Sequence, residues 1–153
     1  MILVAALAVG APAAAQDAPA GGTTVAAFQQ LRWIEGRWRG EQPNGPAFFE
    51  EYRFENDSTI RSYTFADAAS RVPTDSGAIM LRGGQVTTGS GGTRWAAAEL
   101  AAGRARFEPV AGARNSFVWQ RTSPDAWTAT LSWPATADRP AREVVYPMTR
   151  LRP

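Results

Sequence analysis

Over 47–55 the side chains alternate, with Phe48, Glu50, Tyr52 and Phe54 on one face of an extended chain and Phe49, Glu51, Arg53 and Glu55 on the other. The cleanest alternation lies over 127–133, where Trp127, Ala129, Leu131 and Trp133 oppose Thr128, Thr130 and Ser132. Another lies over 142–151, with Val144, Tyr146, Met148 and Arg150 opposed to Glu143, Val145, Pro147 and Thr149. Shorter extended runs fall at 36–41, 59–65, 77–82, 85–87, 94–100, 104–109 and 115–122. They are cut by turn residues: Pro43-Asn44-Gly45-Pro46, Asn56-Asp57-Ser58, Gly83-Gly84, Gly103 and Ser123-Pro124-Asp125. A period of 3.6 is legible only at the start, where Thr24 can cap a short helix carrying Phe28 and Leu31 on one face. The pattern predicts an all-β protein of nine or ten strands in an antiparallel up-and-down meander. Closing that meander into a barrel removes its exposed edges.

The segment before the helix reads differently. Residues 1–9 are apolar, then come Gly10, Pro12 and Ala13-Ala14-Ala15, an h-region followed by a small-residue cleavage signature. The run is too short to span a bilayer. It predicts a signal peptide over 1–15, with Gln16 as the new N-terminus, and an exported, periplasmic protein. No Arg or Lys precedes the apolar run, which fits a true start further upstream. Residues 16–24, rich in Ala, Pro and Gly, read as a flexible linker, and 25–153 as one domain. Cysteine is absent, so a protein of this size must fold on its apolar core without disulfides.

Charge adds little. The net charge is +2 and all 16 basic residues are Arg, scattered among acids. The pI near 9.7 follows from the lack of His and Lys, which leaves nothing to titrate between the carboxylates and the tyrosines. Without a basic run, nucleic acid is not an expected partner. The oligomeric state has no signature in the chain.

The opening Leu31-Arg32-Trp33-Ile34-Glu35-Gly36-Arg37-Trp38-Arg39-Gly40 resembles the start of lipocalin-like (calycin) barrels, where a short helix at the closed end leads into a Gly-x-Trp first strand. The resemblance implies that Gly36, Trp38 and Arg150 form the barrel base, with the arginine of the last strand stacked on the tryptophan. More narrowly, the opening, Glu50-Glu51-Tyr52, Phe107-Glu108-Pro109 and Asn115-Ser116-Phe117 are similar to the DUF6265-type family of small exported bacterial proteins. Tyr52 stands where that family carries Trp, and the usual proline after the Asn115 element is missing. Nitrobindin-type haem barrels share the Gly-x-Trp-x-Gly opening, but their histidine ligand has no counterpart here. Tyr146, Met80 and Met148 are the alternative iron ligands the chain offers, and no cofactor is expected.

The chemistry open to the chain is narrow. Lacking His, Cys and Lys, it has no Ser-His-Asp or Ser-Lys arrangement, no thiolate and no N/S zinc site. Asn56, Asp57 and Asp67 lack calcium-loop spacing, and Gly89–Gly92 lacks the Gly-Lys-Thr of a phosphate loop, so both read as turns. Carboxylates remain. Glu50 and Glu51 point to opposite strand faces, and the inward one is expected to meet an arginine such as Arg61 on the next strand. Two readings of the aromatic residues stay open: plain core packing, or a cavity in which Glu50, Tyr52, Arg61, Trp119 and Tyr146 contact a small apolar or aromatic ligand. The expectation is a non-enzymatic ligand-binding or carrier barrel. The alternatives are a barrel that binds another envelope protein and an enzyme that uses an inward carboxylate lacking a basic partner.

Overall fold

The computed structural model describes residues 22–152, so the signal peptide expected over 1–15 and most of the expected linker lie outside the described residues. Of that linker, Thr23 donates its backbone N–H to Gly84 O at 2.6 Å, and Thr24 accepts from Ala27 N at 3.2 Å as an N-cap. The capped helix α1 (Val25–Gln29) runs into a 3-10 turn, Gln30–Ile34. Ten strands follow. They are β1 (Gly36–Gly40), β2 (Phe48–Asn56), β3 (Thr59–Phe65), β4 (Asp75–Arg82) and β5 (Gln85–Ser90), then β6 (Thr93–Ala101), β7 (Arg104–Ala111), β8 (Ser116–Ser123), β9 (Ala126–Trp133) and β10 (Arg142–Arg150).

Each strand pairs antiparallel with the next, and β1 pairs with β10, so the sheet closes on itself. This is the all-β antiparallel barrel that the alternation predicts, with its helix N-terminal to the strands. One boundary differs from the sequence reading. The stretch Gly89–Gly92, read as a turn, is half strand: Gly89 pairs with Arg94 and Ser90 with Thr93, leaving only Gly91 and Gly92 to turn the chain. Its glycine and serine disguised a segment that β6 holds in register.

Alternation decides which side chains fill the barrel. Ile60, Ile79, Val86, Ala105 and Phe107 are inward and almost fully buried. Phe28, Leu31 and Ile34 close one end as a plug beneath them, and Phe28 meets Phe54 edge-on at 5.9 Å. At that closed end Trp38, 1% exposed, donates its indole N–H to Ile34 O at 2.7 Å. Arg150, its register partner on β10, places its guanidinium carbon 4.1 Å from the indole centroid and donates to Glu35 O at 2.8 Å. Asp125 pairs with the same guanidinium at 3.2 Å.

The glycines flanking Trp38 are explained by two close approaches. Gly36 has φ +118°, where a side chain is strained, and the space beside it is occupied by the Arg150 guanidinium. At Gly40 the ring of Phe48 lies where a Cβ would be.

Candidate functional site

Strand β2 reaches from the plugged end to the other end of the barrel. Phe54 touches α1, whereas Phe48, Glu50 and Tyr52 line a cavity of about 370 Å3 towards the other end. An eight-stranded barrel has an interior only just wide enough for side chains or one small ligand; ten strands widen it. Trp127 and Met148, each 2% exposed, lie on the cavity's inner boundary. Trp95, Asn115, Phe117, Trp119, Ala129, Leu131 and Tyr146 complete the wall.

The aromatic rings hold one another. Trp119 meets Tyr52 at 5.8 Å and Trp127 at 5.5 Å, both edge-to-face, and Phe48 meets Tyr146 at 6.0 Å. Trp95 meets Phe117 at 5.7 Å and spends its indole N–H on Asn115 O at 2.7 Å. Edge-to-face pairs of this kind favour one packed arrangement over many, so the wall is preformed.

One ionisable acid faces this interior. Glu50 accepts a hydrogen bond from the Tyr52 hydroxyl at 2.7 Å. Burial pushes the Glu50 carboxyl above the ordinary carboxylate range, and the Tyr52 hydrogen bond opposes the shift without cancelling it. Tyr52 is pushed well up by its own burial and then by the adjacent carboxylate, so it remains a proton donor.

Four of the residues singled out in the sequence, Glu50, Tyr52, Trp119 and Tyr146, are brought together in this cavity. Arg61 is not. It lies on the outer face of β3, opposite Arg53, and pairs with Glu55 at 2.9 Å. The expected Glu50–Arg61 pair is therefore corrected: the β2–β3 register sets Glu50 opposite Thr64, and alternation turns Arg61 outward. No arginine pairs with Glu50 among the described residues. The outward Glu51 is met by Arg53 at 2.6 Å and by Arg37 at 3.9 Å.

Among the residues that sequence reasoning did not assign to a site, Phe48, Phe117 and Met148 shared strand faces with ones that it did, whereas Trp127, Ala129 and Leu131 lay together on a face of β9 that it left unassigned. Asn115 lies just ahead of β8 and carries the same signal, since alternation over 115–122 sets Asn115 and Phe117 on the face of Trp119. Tyr146 and Met148 line the cavity, whereas Met80 lies on the outer face of β4, opposite Thr87 of β5. The oxygen-rich turns are self-satisfied: Asn56 Oδ1 accepts from Ser58, and Asp67 Oδ1 from Ala69 N and Ser70 N.

No family model and no curated protein matches the chain. Among solved structures, it is similar to a redesigned β-barrel, b11L5F_LGL, with a TM-score of 0.41 and 8% identity over 81% of this chain and 96% of that one. It is also similar to EF1p2_mFAP2b bound to DFHBI, with a TM-score of 0.40 and 8% identity over 80% of this chain and 98% of that one.

Proposed function

We propose that this protein is an exported, periplasmic, lipocalin-like barrel that binds a compact, largely apolar or aromatic small molecule, without turning it over. The observation that carries the reading is a cavity of about 370 Å3 walled by interlocked aromatic rings and holding a single carboxylate. Its size and lining are those of small-molecule sites, which are concave, mostly apolar and supplied with a few placed polar groups. Tyr52, Trp119 and Tyr146 make the apolar contacts and Glu50 the polar one. The stacked Trp38 and Arg150 and the paired Gly36 support kinship with the lipocalin-like and DUF6265-type openings.

A partner-binding barrel is less well supported. Among the described residues, the exposed large apolar ones are Val25, Val72, Val110 and Val145, spread over α1, the β3–β4 connection, β7 and β10. An enzyme finds one favourable observation, an inward Glu50 with no basic partner.

The test uses Nile red, a neutral dye that brightens in apolar surroundings. The purified protein should enhance and blue-shift its emission. Ala129→Phe, which places a ring between Trp119 and Tyr146 at the cavity wall, should abolish the signal while circular dichroism stays that of a β-barrel. Equal dye binding by a folded Ala129→Phe protein would place the dye elsewhere and remove the reading.

A further inference from the structure

The chemistry of the cavity wall is one-sided. Twelve side chains line it, and among them Glu50 alone carries charge; no Arg is present. Its strongest unused hydrogen-bonding capacity is that of an acceptor. Glu50 receives a single side-chain hydrogen bond, from Tyr52, although a carboxylate offers about four lone-pair positions. Three wall donors are occupied, the Tyr52 hydroxyl by Glu50, the Trp95 N–H by Asn115 O, and the Asn115 amide by Ser116 O at 3.3 Å; the Trp127 indole N–H is buried without a partner, and every wall donor is neutral. A ligand that brought a carboxylate or phosphate would meet a like charge with no basic residue to receive it. One that brought N–H donors would complete Glu50.

The remaining surface points the same way. Seven of the twelve lining residues are aromatic, and ring faces attract organic cations once water is displaced. Charge, the spare acceptor capacity of Glu50 and aromatic lining therefore converge on one ligand chemistry.

Resting on the cavity reading above, we infer that the natural ligand is an organic amine: a protonated primary or secondary ammonium that donates to Glu50, attached to an aromatic or compact apolar body that fills the space between Trp119, Phe117 and Tyr146. Tyr52 is a positioning residue in this scheme, holding the carboxylate towards the cavity. Asn115, on a different element from Glu50, contacts the distal part of the body.

Three probes of nearly equal shape separate this inference from the cavity reading itself: 1-naphthylmethylamine, 1-naphthylmethanol and 1-naphthoic acid, each measured by displacement of Nile red and by calorimetry. The amine should bind about tenfold or more tightly than the alcohol, in line with a charge-assisted hydrogen bond, and the acid more weakly than either. Glu50→Gln should erase the preference for the amine over the alcohol, and Glu50→Asp, which keeps the charge, should retain part of it. An amine no tighter than the alcohol, or a preference that survives in Glu50→Gln, overturns the amine assignment while leaving the cavity intact. If neither the alcohol nor Nile red binds, the cavity reading falls and the amine assignment with it.

Discussion

Tyr52 donates its hydroxyl proton to Glu50 at 2.7 Å from two residues along the same strand face. This is a local arrangement, i to i+2 on β2, that leaves a carboxylate inside the barrel with a neutral partner where an ion pair was expected. The cost of burial is thus only partly offset, and the Glu50 carboxyl is raised.

The raised carboxyl makes a statement about stability. Between the unfolded pKa, about 4.3, and the higher folded value, the native protein binds more protons than the unfolded chain, so stability falls as pH rises through that interval. Below both values the penalty is absent; above both it is fully present. Tyr52 on the same strand, Trp38 opposite on β1 and Thr64 opposite on β3 are the groups around Glu50, and none titrates in this range. The difference in urea midpoint between Glu50→Gln and wild type should therefore grow in favour of Glu50→Gln from about pH 4 to about pH 8. A constant difference would mean that Glu50 ionises freely.

Replacing Tyr52 by Phe removes the one hydrogen bond that supports the carboxylate. A lost hydrogen bond to a charged group costs about 1.5–3 kcal/mol, and the loss should be present at neutral pH and shrink in acid, where Glu50 is protonated. Chemical denaturation at two pH values reads both parts. An equal loss at both would assign Tyr52 a packing role only.

On the neighbouring strand β1, Trp38→Ala opens a space beneath the Arg150 guanidinium and removes the hydrogen bond to Ile34 O. Substitutions of this kind cost about 3–5 kcal/mol, measured as a drop in unfolding free energy. A near-wild-type denaturation midpoint would show that the ring does not seal the base.

Gly40→Ala links the base motif to the cavity. The added methyl displaces the Phe48 ring, which is itself cavity wall. Overpacking should cost about 1–3 kcal/mol, and Nile red binding should change in the same variant. Unaltered dye binding with lowered stability would separate Phe48 from the site.

Strand alternation is a property of neighbouring residues, and so Phe48, Glu50 and Tyr52 could be set on one face, and Trp127, Ala129 and Leu131 on another, from the chain alone. The Gly36-x-Trp38-x-Gly40 pattern likewise announced a crowded base, and the lack of His, Cys and Lys had already narrowed the chemistry before any fold was known. What tertiary structure decided is which faces meet. The β2–β3 register turned Arg61 outward and set Thr64 opposite Glu50, and closure between β1 and β10 laid Arg150 on Trp38. Ten strands gave a bore wide enough to leave space between the aromatic walls, and brought the Asn115, Phe117 and Trp119 face to it. Alternation depends on one residue and the next; register and closure depend on hydrogen bonds between residues as far apart as Trp38 and Arg150, and only the folded sheet sets those.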